Sequence, residues 1–233
     1  MKFIRNIFRN IKYNLKHLNK SEKTKLNYTV NSSSNPKLTE LMNKYGSDKG
    51  NKNNHHNYSE FYSEYFFNKR HEVKNFLEIG LGTNDINIQS NMGINGTPLA
   101  SLRAWQDFFV NATIYGADID KKILKNEERI KTFYVDQTDP ETIKEMFKNM
   151  QVNKFDIILE DGLHEFNANI CFFENAVNFL DDQGTYIIED VYYKDKIKFN
   201  NYFANTDFNY SIVDIYHEKN IANNSLIIIR KNV

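Results

Sequence analysis

The sequence predicts an α/β fold with a mostly parallel, doubly wound sheet that ends in an antiparallel hairpin. From Asn75 onward, short apolar runs rich in β-formers alternate with helical segments, which is typical of right-handed βαβ units. Near the end, residues 210–216 and 225–230 form two β-rich runs separated by a gap too short for a crossover helix, so they should pair antiparallel. A glycine turn after the first strand of the alternating region suggests a ligand site at the sheet edge.

The individual elements follow from hydrophobic periodicity and from turn residues. Five parallel strands are expected near 75–80, 112–118, 131–135, 155–160 and 184–189. Helices are expected near 98–110, 120–128, 139–150 and 167–181, and residues 37–71 indicate two short helices around a polar loop. With the hairpin, the predicted sheet has seven strands.

The first 36 residues differ in character from the rest. Apolar residues recur at helical spacing over residues 3–18, and the first 25 residues carry eight Lys or Arg against one Glu. This pattern predicts a basic amphipathic helix, followed by a linker at Asn31–Pro36. Such a helix either docks on an anionic membrane surface or packs as an arm on the domain or on a partner subunit. The predicted organisation is therefore a helix and linker at 1–36, a helical lid or cap at 37–74 and one catalytic domain at 75–233.

Composition narrows the class of protein. The net charge is zero, which argues against a general nucleic-acid binder. No apolar run reaches 18 residues, so no membrane span is expected, and the single Cys171 excludes an internal disulfide. We therefore expect a cytoplasmic protein, with peripheral membrane contact through residues 1–20 as the alternative, and its oligomeric state, including a homo-oligomer, stays open.

A cofactor site is predicted at the ends of the first three strands of the alternating region. Glu78-Ile79-Gly80-Leu81-Gly82 lets a backbone approach a ligand closely. Asp118 ends the next strand and suits two ribose hydroxyls, and Asp136-Gln137 ends the third, where a carboxylate and an amide suit an adenine edge. The predicted cofactor residues are Glu78, Gly80, Gly82, Asp118, Asp136, Gln137 and Asp161.

Two carboxylate clusters end the next two strands. Asp161-Gly162-Leu163-His164 and Glu189-Asp190 lie 28 residues apart, and parallel strands bring their ends to one sheet edge. Three acidic groups and an imidazole there indicate a metal with a base beside it. Glu160 is left out because strand alternation turns it away from Asp161.

These motifs resemble those of the class I, S-adenosylmethionine-dependent and magnesium-dependent sugar O-methyltransferases of the macrocin type, with the cephalosporin-hydroxylase-like proteins as a related branch. The resemblance runs from about Lys44 to Arg230 and includes Tyr45-Gly46-Ser47-Asp48-Lys49-Gly50. Leu163 stands where that family usually has Ser, and Asp181–Gly184 replaces a Pro-Gly-Gly turn. Neither departure touches a predicted ligand.

The resemblance implies a Rossmann-like class I methyltransferase fold, with S-adenosylmethionine and Mg²⁺ (or Mn²⁺) as cofactors. It implies metal ligands at Asp161, Glu189 and Asp190, and His164 as general base. The expected activity is O-methylation of a sugar, either nucleotide-activated or in a capsule or other surface polysaccharide. The alternatives are methylation of a non-sugar small molecule, a catalytically inactive cofactor-binding subunit, and a nicotinamide dehydrogenase, which the missing third glycine disfavours.

Overall fold

The computed structural model describes residues 24–28, 36–52 and 55–233. The predicted basic helix lies outside these residues. Helices are α1 (Lys37–Tyr45), α2 (Tyr58–Phe66), α3 (Ala100–Phe108), α4 (Pro140–Met150), α5 (Phe166–Ala176) and α6 (Lys196–Phe203). Strands are β1 (Thr24–Tyr28), β2 (Asn75–Ile79), β3 (Thr113–Asp118), β4 (Ile130–Tyr134), β5 (Phe155–Glu160), β6 (Leu180–Ile188), β7 (Asn209–Ile215) and β8 (Ser225–Arg230). No helix among these residues is long and apolar enough to cross a membrane.

All strands belong to one sheet, in the order β1-β7-β8-β6-β5-β2-β3-β4. Strands β2 to β6 pair in parallel, and β8 pairs antiparallel with both β6 and β7. This confirms the predicted sheet of seven strands with a C-terminal hairpin. An eighth strand, β1, was not predicted; it extends the sheet by pairing in parallel with β7, within the segment assigned to helix and linker.

Successive residues of each strand point to opposite faces of the sheet, so the core has two halves. In β2, Phe76 packs with α1, α2 and α3 on one face, whereas Leu77 and Ile79 pack with α4, α5 and α6 on the other. Trp105 of α3 is fully buried among aromatic rings on the first face. The segment 37–74 therefore shares a core with the sheet, and its role as a lid stays a prediction.

Local signals explain where several elements begin and end. Asp139 caps α4 by accepting the Glu141 N–H at 3.0 Å, and Pro140 occupies the first turn. At the end of α1, Gly46 takes φ +83°, a left-handed conformation that favours glycine.

Three expectations about helices differ from the structure. The helix expected at 120–128 is absent and turns take its place, because Asp118 and Asp120 accept the N–H groups of Asp120 and Lys122 and so compete with helical hydrogen bonds. Helix α6 was missed, because eight residues are too short for a clear period. The helix expected at 167–181 ends at Ala176, where a short 3₁₀ turn leads into β6.

Candidate functional site

The carboxyl ends of strands β2 to β6 open onto one cavity of about 610 Å³. Parallel strands create this edge, where open α/β sheets bind their ligands. Of the ten predicted site residues, eight line the cavity: Gly80, Gly82, Asp118, Asp136, Gln137, Asp161, His164 and Asp190.

The turn after β2 contains two glycines that cannot be replaced without strain. Gly80 has φ +87° and Gly82 has φ +77°, which are left-handed conformations that side chains disfavour. A Cβ at Gly80 would collide with the carbonyl oxygen of Asp161, and one at Gly82 would collide with the sulfur of Met92. The turn thus brings bare backbone to the cavity wall and against the loop that carries Asp161.

Asp118 fixes this turn from the neighbouring strand. Its Oδ2 accepts the Leu81 N–H at 2.7 Å, and its Oδ1 accepts the Asp120 N–H at 2.8 Å. Burial raises the pKa of Asp118, which the backbone hydrogen bonds counteract. The carboxylate lies at the cavity wall, and its contact with a ribose stays a prediction.

Asp136 and Gln137, the two predicted adenine contacts after β4, have different surroundings. Asp136 lines the cavity, and its Oδ1 accepts the N–H and the hydroxyl of Thr138 at 2.9 and 2.7 Å. The amide of Gln137 is engaged elsewhere, because Nε2 donates to Glu160 while Oε1 accepts the Leu163 N–H at 2.8 Å. In place of the expected adenine contact, the Gln137 side chain supports the loop after β5.

Glu160 is fully buried on the opposite side of its strand from Asp161, as alternation predicted. It also accepts hydrogen bonds from Asn169 at 2.5 Å and from the Tyr186 hydroxyl at 2.6 Å. Burial raises the pKa of Glu160 to about 8 despite these donors. Glu160 therefore links Gln137, Asn169 and Tyr186 through hydrogen bonds. It takes no part in the carboxylate cluster at the cavity.

Three side chains in the cavity form a candidate cation site. Asp161, His164 and Asp190 each offer one ligand atom, and these atoms lie within 4.8 Å of one another. His164 Nε2 is 3.0 Å from Asp161 Oδ1, and its Nδ1 is 3.6 Å from Asp190 Oδ2. Both His164 and Asp190 have positive φ, +60° and +53°. Strained backbone of this kind is concentrated at functional sites in proteins.

The protonation of His164 is set by its acidic neighbours. Burial alone would lower its pKa, but the hydrogen bond to Asp161 and the charge of Asp190 outweigh burial and raise that pKa to about 9. A cation bound by the same carboxylates would act in the opposite direction.

Lys49 is a central member of the site to which the sequence analysis assigned no role. Only 3% of its side chain is exposed, and its ammonium contacts three carboxylates: Glu189 at 2.5 Å, Glu78 at 3.4 Å, and Asp161. Glu78 and Glu189 do not line the cavity; they are buried below it and hold Lys49. A buried carboxylate requires a charged or hydrogen-bonding partner, and Lys49 is that partner here. The predicted contacts of Glu78 with the cofactor and of Glu189 with a metal stay predictions.

Helix α2 supplies two further partners. Tyr58 and Tyr62 lie four residues apart and hence on one helix face. The Tyr58 hydroxyl donates to Asp190 at 2.6 Å, and the Tyr62 hydroxyl donates to Glu189 at 2.7 Å. The helical spacing of these tyrosines was the available signal, but it does not distinguish them from ordinary core residues.

Comparison with known proteins places this cavity in context. No protein-family model matches the chain. The chain is 30% identical over 159 residues to the 8-demethyl-8-alpha-L-rhamnosyl tetracenomycin-C 2'-O-methyltransferase of Streptomyces olivaceus, covering 67% of this chain and 38% of that protein. It is 32% identical over 160 residues to the demethylmacrocin O-methyltransferase of Streptomyces fradiae, covering 69% of this chain and 38% of that protein.

Among solved structures, the MycE methyltransferase of mycinamycin biosynthesis, in complex with Mg and SAH (S-adenosylhomocysteine), matches with a TM-score of 0.55 and 31% identity. The match covers 68% of this chain and 40% of MycE. The chain thus spans about two fifths of the length of these relatives. The homologues are sugar O-methyltransferases of the macrocin and tetracenomycin type, and the fold is that of class I methyltransferases.

Proposed function

We propose that this chain, a homologue of the macrocin-type sugar O-methyltransferases, transfers a methyl group from S-adenosylmethionine to a hydroxyl group of a sugar. The observation that carries the proposal is the arrangement at the carboxyl edge of the sheet. A glycine turn with two carboxylates beside it borders the same cavity as the cluster of Asp161, His164 and Asp190. The proposed cofactor-binding groups and acid–base groups therefore share one cavity.

The cavity fits the proposed cofactor. Gly80 and Gly82 line it without side chains, so their backbone can approach a ligand closely. Asp118 and Asp136 present carboxylate oxygens, which suit ribose hydroxyls and the exocyclic amine of adenine. We assign the ribose to Asp118 and the adenine edge to Asp136, and we assign Gln137 to support of the loop.

The donor set also fits a divalent cation. Asp161 and Asp190 offer carboxylate oxygens, the ligands that Mg²⁺ prefers, and Glu189 is adjacent in the sequence. When bound, such an ion lowers the pKa of a sugar hydroxyl and orients it. Tyr58 restrains Asp190 through the 2.6 Å hydrogen bond, so that carboxylate is positioned from helix α2.

His164 is the proposed general base. Its Nε2 is 3.0 Å from Asp161, and its other nitrogen faces Asp190, so the two carboxylates orient the ring and stabilise the imidazolium that forms when it takes the proton. A base positioned in this way contributes about 10²–10⁴-fold to the rate. His164 lines the cavity, where it can reach a hydroxyl beside the cluster.

The acceptor we propose is a nucleotide-activated sugar or a sugar of a surface polysaccharide. The supporting observation is that one named relative is, by its name, an O-methyltransferase of a rhamnosyl tetracenomycin, a sugar carried on a larger molecule. The finer identity of the sugar and its hydroxyl is what the experiment below determines.

The test is a methyl-transfer screen over nucleotide sugars, with release of S-adenosylhomocysteine as readout. We expect turnover of at least one sugar in Mg²⁺, loss of turnover in excess chelator, and loss of about 10²–10⁴-fold for His164→Ala with cofactor affinity retained. His71→Ala, a change of an exposed histidine, serves as the matched control and should match wild type. Full activity in chelator would refute the metal assignment, and a His164→Ala enzyme like the His71→Ala control would refute the base.

A further inference from the structure

Lys49 is a buried cation that methyl transfer does not by itself explain. It lies in the loop between α1 and α2, and its ammonium contacts carboxylates at three strand ends: Glu78 near the end of β2, Asp161 after β5 and Glu189 after β6. A lysine with 3% of its side chain exposed is rare unless it is paired. Two of these partners, Asp161 and Glu189, were predicted to hold a metal.

The contacts of Lys49 use the atoms that a metal would need. Lys49 contacts Asp161 Oδ2, while His164 Nε2 contacts Asp161 Oδ1 at 3.0 Å. Lys49 also contacts Glu189 Oε2, while Tyr62 donates to Glu189 Oε1. Both oxygens of each carboxylate are therefore already engaged by protein groups. A cation that binds either carboxylate must exchange with one of these partners or share an oxygen with it.

Glu78 is a further partner of the Lys49 ammonium. It is fully buried, and the Lys49 ammonium lies 3.4 Å from its Oε1. If the ammonium left Asp161 and Glu189, Glu78 would still retain it within the site. Lys49 can thus stay paired with Glu78 while it releases Asp161 and Glu189.

We propose that Lys49 is an internal counter-ion that competes with a divalent cation for Asp161 and Glu189. The inference rests on the proposed function, since it takes the carboxylate cluster to be that activity's metal site. Lys49 would hold the acidic groups together and weaken metal binding at the same time. A positively charged group this close opposes a dication strongly, even at the effective dielectric of a protein site.

The experiment compares Lys49→Met with Lys52→Met, a change of an exposed lysine in the same loop. Mn²⁺ is the probe, and binding is measured by the loss of the free-ion electron paramagnetic resonance signal. We expect Lys49→Met to bind Mn²⁺ about tenfold more tightly than wild type, or better. The Lys52→Met protein should bind like wild type.

Thermal unfolding gives a second readout. In excess chelator, Lys49→Met should melt about 6–20 °C below wild type, because three buried carboxylates lose their cation. Saturating Mn²⁺ should recover most of that loss. If Lys49→Met does not fold, the double variant Lys49→Met/Glu78→Gln is compared with the single variant Glu78→Gln. The double variant should bind Mn²⁺ more tightly than the single variant.

The outcomes separate this inference from the proposed function. If wild type binds Mn²⁺ and Lys49→Met binds it equally or more weakly, Lys49 does not compete and the inference fails, while the metal assignment stands. If none of the variants binds Mn²⁺, the inference and the metal part of the proposed function fail together. A Lys49→Met protein that melts with wild type in chelator also overturns the counter-ion role.

Discussion

The substitution Asp118→Asn tests how the cofactor turn is built. Both oxygens of Asp118 accept backbone N–H groups, from Leu81 at 2.7 Å and from Asp120 at 2.8 Å. An asparagine has one oxygen and one NH₂ group, so in either orientation one backbone N–H faces another donor. The substitution keeps the shape and removes one acceptor, and Leu81 belongs to the glycine turn itself.

The expected loss of stability follows from the lost hydrogen bond. A hydrogen bond to a charged group contributes about 1.5–3 kcal/mol. For a chain of this length, this corresponds to a drop in melting temperature of about 3–12 °C. If the displaced turn loses the same free energy from cofactor binding, the Kd for S-adenosylhomocysteine rises about 10–100-fold.

Asp120→Asn is the matched control. Asp120 accepts the Lys122 N–H at 2.9 Å with one oxygen and the Thr83 hydroxyl at 2.5 Å with the other. An asparagine oxygen can keep the first contact while its NH₂ donates to the hydroxyl, which can accept. We therefore expect only a small change. Differential scanning fluorimetry and calorimetric titration with S-adenosylhomocysteine measure both effects, and an Asp118→Asn protein equal to Asp120→Asn in both would refute this account of the turn.

Three further predictions concern the same edge of the sheet. Gly80→Ala should lower the melting temperature and weaken metal binding together, because its Cβ would collide with the Asp161 carbonyl; normal Mn²⁺ binding would contradict this. In chelator, His164→Gln should be less stable than wild type below pH 6.5, and the difference in stability should vanish as the pH rises through about 9. The reason is that the pKa of His164 is higher in the folded protein than in the unfolded chain. Urea unfolding at several pH values measures the trend, and a difference that does not change with pH would contradict it. Tyr62→Phe should cost about 1–3 kcal/mol in unfolding free energy, because Glu189 loses a buried donor, and an unchanged urea midpoint would count against that contact.

Much of the site could be predicted because it lies at strand ends. Gly80, Asp118, Asp161 and Asp190 each follow an apolar run, and a parallel sheet brings such ends to one edge whatever the details of packing. The hairpin of β7 and β8 could be predicted in the same way, from two β-rich runs and a short gap. Periodicity and turn chemistry are local properties, so the sequence alone reports them.

The partners of those residues depended on the tertiary structure. Lys49 stands in a polar loop with no sign of burial, yet it contacts acidic residues 112 and 140 positions away. Gln137 has the residue type expected for an adenine contact, but its amide is taken by Glu160 and Leu163. Which donor meets which acceptor across strands is a matter of long-range packing, which local patterns do not encode.

The sequence by itself therefore determined the fold class, the order of the strands along the chain from β2 to β8 and the residues that their ends present. Only the tertiary structure decided the eighth strand, the absence of a helix at 120–128 and which carboxylate pairs with which partner. The physical reason is that burial makes a charged group dependent on its partners. Glu78 and Glu189 are thus buried against Lys49, while Asp161 contacts Lys49 and also lines the cavity with Asp190.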